Sequence, residues 1–132
     1  CPLRTEEDVF ASYEQFVKSG ANCLMSVSAY NWLYPFWALQ EQDGKLVPFF
    51  GKEYLTDSRL LPQNVYCPSG AVRWVRIENF LEEKAYYGED LVKFVLPLER
   101  GADIDTYEDL ELAKKLYPLV YPVIRKPRPR ES

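Results

Sequence analysis

The sequence predicts an α/β fold built around a partly parallel sheet. Helix-period and strand-period stretches alternate along it in the order helix, strand, hairpin, arm, strand, helix, strand, helix. Alternation of this kind is the mark of helices packed on a mostly parallel sheet. The Asp43-Gly44 dipeptide sits between two extended apolar runs, a short-range hairpin signal. The length, 132 residues, suits one domain, and a chain of that size buries roughly two-thirds of its unfolded surface.

Thr5-Glu6-Glu7-Asp8 opens the first helix. Thr5 is a capping residue, and acids in the first turn complement the helix dipole. Val9, Phe10, Tyr13, Phe16 and Val17 then recur at helical spacing, and Gly20 is a stop, which predicts a helix over 5–19 with those five residues inward. Asn22 to Ala29 reads as a buried strand through Cys23, Leu24, Met25 and Val27. Residues 35–39 and 46–50 flank the hairpin turn. The stretch 51–70, with Pro62 and Pro68, is expected as a long loop or arm.

A strand follows over Ala71–Ile77, with Arg73 and Arg76 expected on one of its faces and paired with acids. Then come a short helix over Glu78–Lys84 and a strand over Val92–Leu96. The last helix is expected over Tyr107–Tyr117, capped by Thr106 with Asp109 in a near capping box and ended by Pro118. Leu110, Ala113, Leu116 and Tyr117 mark its inner face. There is no internal repeat. An α/β domain normally has a strand before its first helix, so the opening Cys-Pro-Leu-Arg suggests a fragment or an open sheet edge.

Composition narrows the chemistry. Net charge is −4, but Arg125, Lys126, Arg128 and Arg130 lie at the end with only Glu131 opposing them. Residues 1–124 therefore carry 12 basic and 19 acidic groups, a balance of −7. An acidic body argues against nucleic-acid binding, which needs a basic face. The segment 125–132 is Pro-rich and charged and is expected to be disordered, with phosphate binding as the other reading. Absence of His removes the commonest general base and metal ligand. The three cysteines form no CxxC pair and no disulfide framework, and they lack a basic activating pattern. No apolar run is long enough for a membrane span and no signal-peptide pattern opens the chain, so a soluble cytoplasmic setting is expected. Aromatics make up 15% of the residues, which suggests a dense core or a face awaiting a partner. Trp32, Trp37 and Trp74 are expected to pack rather than to stack on a sugar.

Asp103 and Asp105 are two apart, which in an extended segment puts both on one face. Carboxylates so placed at the end of a strand suit a hard cation. The same spacing is also that of a plain helix cap, with Asp105 and Thr106 capping and Asp103 solvated.

Three segments read together carry a resemblance. They are Pro2-Leu3-Arg4-Thr5, then Arg59-Leu60-Leu61-Pro62 with Pro68-Ser69-Gly70-Ala71, then Asp103-Ile104-Asp105-Thr106. In that order and spacing the chain resembles the acylneuraminate cytidylyltransferases, the CMP-sialic acid synthetase family, over the back part of the family's domain. The chain departs from the family pattern in having Ser69 where the family has Asn, and Cys1 where it has Ser. The resemblance implies the C-terminal half of a Rossmann-like nucleotidyltransferase sandwich, here 1–124, with a hairpin and arm at 35–65 that forms a homodimer. It implies transfer of CMP from CTP to a 2-keto sugar acid, the sugar's anomeric hydroxyl displacing pyrophosphate. It makes Asp103 and Asp105 the catalytic, magnesium-holding pair. It makes Arg59, Ser69, Gly70, Ala71 and Arg4 substrate-binding, with Arg59 gripping the substrate carboxylate by a two-pronged bond. A surface ion pair with Asp57 or Glu53 is the other reading of Arg59, and a structural role that of Arg4.

The family's basic, Gly-rich phosphate loop has no counterpart after a strand in these residues, and its sugar-pocket Lys would fall near Trp37, where no basic group stands. The expectation is that the 132 residues do not turn over alone and work with a nucleotide-binding half, in the same chain or a separate one. A non-catalytic dimerisation or ligand-binding module derived from this fold is the alternative.

Overall fold

A computed structural model describes residues 1–30 and 33–122. The predicted α/β class is what it shows: a mixed sheet with helices, consistent with part of a Rossmann-like nucleotidyltransferase fold. Trp32 and the basic segment at 125–132 lie outside the described residues. The chain divides into two compact units, one formed by Cys1–Ser28 with Pro68–Ser132, the other by Ala29–Cys67.

The first unit holds a three-stranded sheet in the order β4-β1-β5. Strand β1 (Cys23–Ala29) is central and runs parallel to β5 (Val92–Val95), Leu24 facing Val92 and Val27 facing Val95. Strand β4 (Tyr66–Val75) runs the other way: Arg76 N–H donates to Asn22 O, while Val72 meets Ser26. All of β1 but its last residue is buried, as a middle strand covered on both faces must be.

Helix α1 (Glu6–Ser19) has a full capping box, Thr5 with Asp8, and ends on Gly20 in the left-handed conformation. Its inward face differs from the expected one. Asp8, Ser12 and Phe16 are buried, while Phe10, Tyr13 and Val17 stay exposed. The polar pair goes inward because partners await it. Asp8 meets Arg100, and the Ser12 hydroxyl donates to Val9 O and accepts from Trp74 Nε1 at 3.0 Å.

Three boundaries move. The strand expected at 71–77 begins at Tyr66 and stops at Val75, because Ile77 opens α3 (Ile77–Glu83). An edge position in the sheet tolerates Pro68, whose missing N–H would break an inner ladder. Helix α4 (Tyr107–Val120) carries Pro118 inside its last turn instead of stopping there. A proline so near the end costs one ladder bond, and Tyr121 closes the turn by donating to Tyr117 O. The Tyr121 hydroxyl also donates to Arg4 O at 2.9 Å.

Arg73 and Arg76 do not share a strand face, since β4 ends between them, and among the described residues neither pairs with an acid. Arg73 lies over the Tyr86 ring, and Arg76 lies over Phe16 while donating to Ala21 O.

In the second unit β2 (Leu39–Gln42) and β3 (Lys45–Pro48) form an antiparallel hairpin with Gln42 opposite Lys45. Asp43 and Gly44 both have positive φ, as a two-residue hairpin turn of matching twist requires. The expected strand at Pro35–Trp37 is a 3-10 turn. The expected loop after the hairpin contains α2 (Glu53–Thr56) and a 3-10 turn at Ser58–Leu60. Phe36, Phe49, Phe50 and Tyr54 form a ring cluster with centroids about 5 Å apart, and Trp37, Phe49 and Phe50 remain exposed.

Candidate functional site

The first unit has an open cavity of about 480 Å³ whose lining includes Arg4, Gly70, Ala71, Arg73, Trp74 and Asp103. Residues from three distant segments thus meet around one space. Arg4 comes from the stretch before α1, Gly70 and Ala71 from β4, and Asp103 from the loop between β5 and α4.

Local structure explains each placement. Arg4 Nη1 donates to Ala71 O, which ties the opening segment to β4. Gly70 has φ +70° in mid-strand, a conformation that L side chains rarely adopt. A Cβ there would lie 3.8 Å from Asp103 Oδ2 and 3.9 Å from Cys1 Sγ, so the β4 backbone comes close beside the carboxylate. Ser69 is buried: its hydroxyl donates to Ser26 Oγ at 2.8 Å, and its carbonyl accepts from Cys1 Sγ at 3.1 Å. Its side chain is therefore spent inside the fold beneath Gly70.

Asp103 is exposed. Its Oδ1 accepts from the Cys1 amine at 3.2 Å and from the Ile104 N–H at 3.0 Å. Oδ2 has no hydrogen-bond partner among the described residues. Asp105 is also exposed; its backbone N–H donates to Asp109 Oδ2 at 3.2 Å, and no described group bonds its carboxylate. The cap of α4 is made by Thr106 with Asp109, so the Asp105 carboxylate is not used as a helix cap. Asp103 lines the cavity and Asp105 does not, so the cavity offers one carboxylate to a hard cation of the magnesium type, which takes one or two carboxylates and fills its other positions with water and phosphate oxygens. No group of three or more acidic, Cys or His side chains that could hold a metal alone occurs among the described residues.

Arg59 belongs to the second unit. Its guanidinium grips Asp57 through two bonds, Nε to Oδ1 at 2.8 Å and Nη2 to Oδ2 at 2.7 Å, on an exposed surface. That is the fork geometry which would also hold a substrate carboxylate. Of the tryptophans, Trp74 packs edge-on against Tyr13 while lining the cavity, and Trp37 lies near Tyr34. The Cys23 thiol is buried, and burial, then Asp90 and Glu83, push its pKa up, which keeps it un-ionised.

Three residues that support the site do not stand out in the sequence, Ser26, Ser28 and Arg100, and Asp8 stands out there only as an acid in the first turn of α1. Asp8 and Arg100 form an ion pair at 3.0 Å with Asp8 buried. The Nε–H of Arg100 does not point at the oxygen, so the contact is ionic rather than a hydrogen bond. No sequence signal marks that pair. The Ser-x-Ser spacing of Ser26 and Ser28 in an apolar strand is the one visible trace of the hydroxyl ladder beneath Gly70.

No family model matches the chain. It is similar to two curated proteins of Campylobacter jejuni subsp. jejuni, the pseudaminic acid cytidylyltransferases of serotype O:2 and of serotype O:23/36. Identity to each is 28% over 116 residues, which is 88% of this chain and 50% of theirs. The chain spans about half the length of the curated relatives it matches. By sequence, then, it is a distant homologue of part of a cytidylyltransferase.

Proposed function

We propose that these residues supply the sugar-acid-facing and magnesium-holding side of a cytidylyltransferase, one that transfers CMP from CTP to a 2-keto sugar acid of the pseudaminic or sialic class. The observation that carries this reading is the meeting of Arg4, Gly70, Ala71 and Asp103 around one cavity. A helix cap needs no such company.

Asp103 and Asp105 would hold the ion, which when bound neutralises phosphate charge. Asp103 suits the task because the Ile104 N–H fixes its Oδ1 while Oδ2 has no hydrogen-bond partner among the described residues. Gly70 lets the β4 backbone approach a ligand closely. Arg73, paired with no described acid, presents a cation to the anionic ligand from the cavity wall. Ser69 acts through its backbone and its seat on Ser26. In the second unit, taken by itself, Arg59 holds Asp57 with a fork that would equally suit the carboxylate of a ligand. The phosphate-binding half of the reaction lies outside these 132 residues, in a working enzyme of cytoplasmic setting. The exposed aromatic face of 35–65 pairs with a second copy, as aromatic-rich interface cores do.

The test combines the chain with a cytidylyltransferase front half, CTP, Mg2+ and pseudaminic or sialic acid, and measures pyrophosphate release. Turnover that needs both parts and is lost in Asp103→Asn supports the reading. Turnover unchanged by Asp103→Asn and Asp105→Asn together refutes it. Tight binding of a sugar acid or of a second copy, without turnover with any front half, favours the non-catalytic alternative.

A further inference from the structure

We infer that Arg100, Asp8 and Gly101 are positioning residues that set the place of the Asp103–Asp105 carboxylates by fixing their loop at two points. The inference rests on the reading that these carboxylates hold a divalent cation.

The loop leaves β5, makes a 3-10 turn at Leu98–Arg100, and reaches Asp103 three residues later. Its first anchor is ionic. Arg100 Nε lies 3.0 Å from Asp8 Oδ2, and the Asp8 side chain is only 5% exposed. That carboxylate cannot wander, since it sits in the first turn of α1 and its Oδ2 also accepts the Thr5 N–H at 2.9 Å. A buried carboxylate left without its cation is strongly unfavourable, so the loop stays where Arg100 reaches it.

The second anchor is steric. Gly101 N–H donates to both Pro97 O and Leu98 O, each at 3.2 Å, which fixes the turn. A Cβ on Gly101 would lie 2.7 Å from Ser28 Oγ and 3.0 Å from Ser69 Cβ. The loop backbone therefore rests directly on one serine of β1 and one of β4. Neither serine yields easily, because Ser28 donates to Leu96 O and Ser69 to Ser26.

Ser69 is followed by Gly70, the residue that lies against Asp103 Oδ2. The same two β4 residues thus receive the loop at Gly101 and flank its carboxylate at Asp103. A shift of the loop at either anchor moves Asp103 relative to the β4 backbone. Neither Arg100 nor Gly101 need touch the cation for this. Groups that orient metal ligands from behind typically cost 10–100-fold in affinity when removed.

Mn2+ is the probe, a paramagnetic ion that favours carboxylate oxygens. The experiment titrates it into the whole chain and follows broadening of the Gly70 and Ile104 amide signals. Wild type is expected to broaden at both, and Asp103→Asn to lose the effect. Arg100→Met and, independently, Gly101→Ala are expected to weaken Mn2+ by roughly 10-fold. Arg100→Lys, which keeps the charge, is expected to recover most of the loss. Gln15→Ala removes a hydrogen bond from α1 to Lys93 O, between residues that neither line the cavity nor belong to the loop, and should leave Mn2+ affinity unchanged. If Asp103→Asn broadens like wild type, the metal reading itself falls. If Asp103→Asn abolishes broadening while Gly101→Ala and Arg100→Met bind like wild type, the metal reading stands and the positioning inference is overturned. Equal weakening by Gln15→Ala also overturns it. Should Arg100→Met fail to fold, Gly101→Ala and Arg100→Lys decide.

Discussion

Replacing Ser26 by alanine tests whether the hydroxyl ladder beneath Gly70 is what holds β4 to β1 at the site. Ser26 is fully buried, and its Oγ makes three hydrogen bonds: it donates to Val72 O at 3.0 Å and accepts from Val72 N and from Ser69 Oγ, each at 2.8 Å. Alanine removes all three. The Val72 N–H is then an orphaned buried donor, which costs about 1–3 kcal/mol by itself, and the Ser69 hydroxyl loses its acceptor as well. Together the loss is about 2–4 kcal/mol. Ser28 offers an internal comparison. Among the described residues its Oγ makes one such bond, to Leu96 O at 3.1 Å, so Ser28→Ala should cost about 1 kcal/mol. Urea unfolding followed by circular dichroism measures both, and at slopes of about 1–3 kcal/mol per M the Ser26→Ala midpoint should fall by roughly 0.7–4 M with the slope unchanged. Hydrogen exchange at the Val72 amide gives a local readout and should accelerate in Ser26→Ala but not in Ser28→Ala. Equal costs for the two variants, or an unchanged Val72 amide, would refute the assignment of the ladder.

Asp103→Asn and Asp105→Asn should each lower turnover of the combined enzyme by roughly 10²–10³-fold, the usual scale for losing one preorganised charge-stabilising group, with folding intact by circular dichroism. Asp109 is held below the ordinary aspartate range by Thr106, first through its hydroxyl and then its backbone, and by the Asp105 N–H. A folded value below the unfolded one stabilises α4 above about pH 3.9 and is lost as pH falls through the folded value. NMR titration should show the Asp109 carboxyl midpoint below about 3.9, and Asp109→Asn should remove that part of the acid dependence; a midpoint at or above 3.9 contradicts the cap. If residues 35–65 form the dimer, Phe49→Glu with Phe50→Glu should convert it to monomer in sedimentation velocity, and a wild type that is already monomeric at high concentration rules the interface out. Asp57→Ala should free Arg59 and raise sugar-acid affinity, whereas Arg59→Lys, which lacks the fork, should lower it in calorimetry.

Sequence alone was enough for the local grammar of this chain. Thr5 with Asp8, Gly20, Asp43-Gly44 and Thr106 with Asp109 all do what their residue types allow, because a cap or a tight turn is closed by neighbours a few residues away. The alternation of elements, and hence the α/β class, follows from the same short-range periodicities. Site residues were visible as three separated motifs, but not the fact that Arg4, Gly70, Ala71 and Asp103 line one cavity. Tertiary structure alone decided which face of α1 goes inward. Apolar periodicity favours Phe10, Tyr13 and Val17, yet Asp8 and Ser12 are buried because Arg100 and Trp74 arrive to satisfy them. It also decided that β4 runs through Pro68 and Gly70, since an edge strand can spare a donor, and that α4 continues past Pro118 to place Tyr121 against Arg4. A buried polar group is stable only when a partner completes it, and for Asp8, Ser12 and Ser26 those partners lie far along the chain, where no local pattern of the sequence records them.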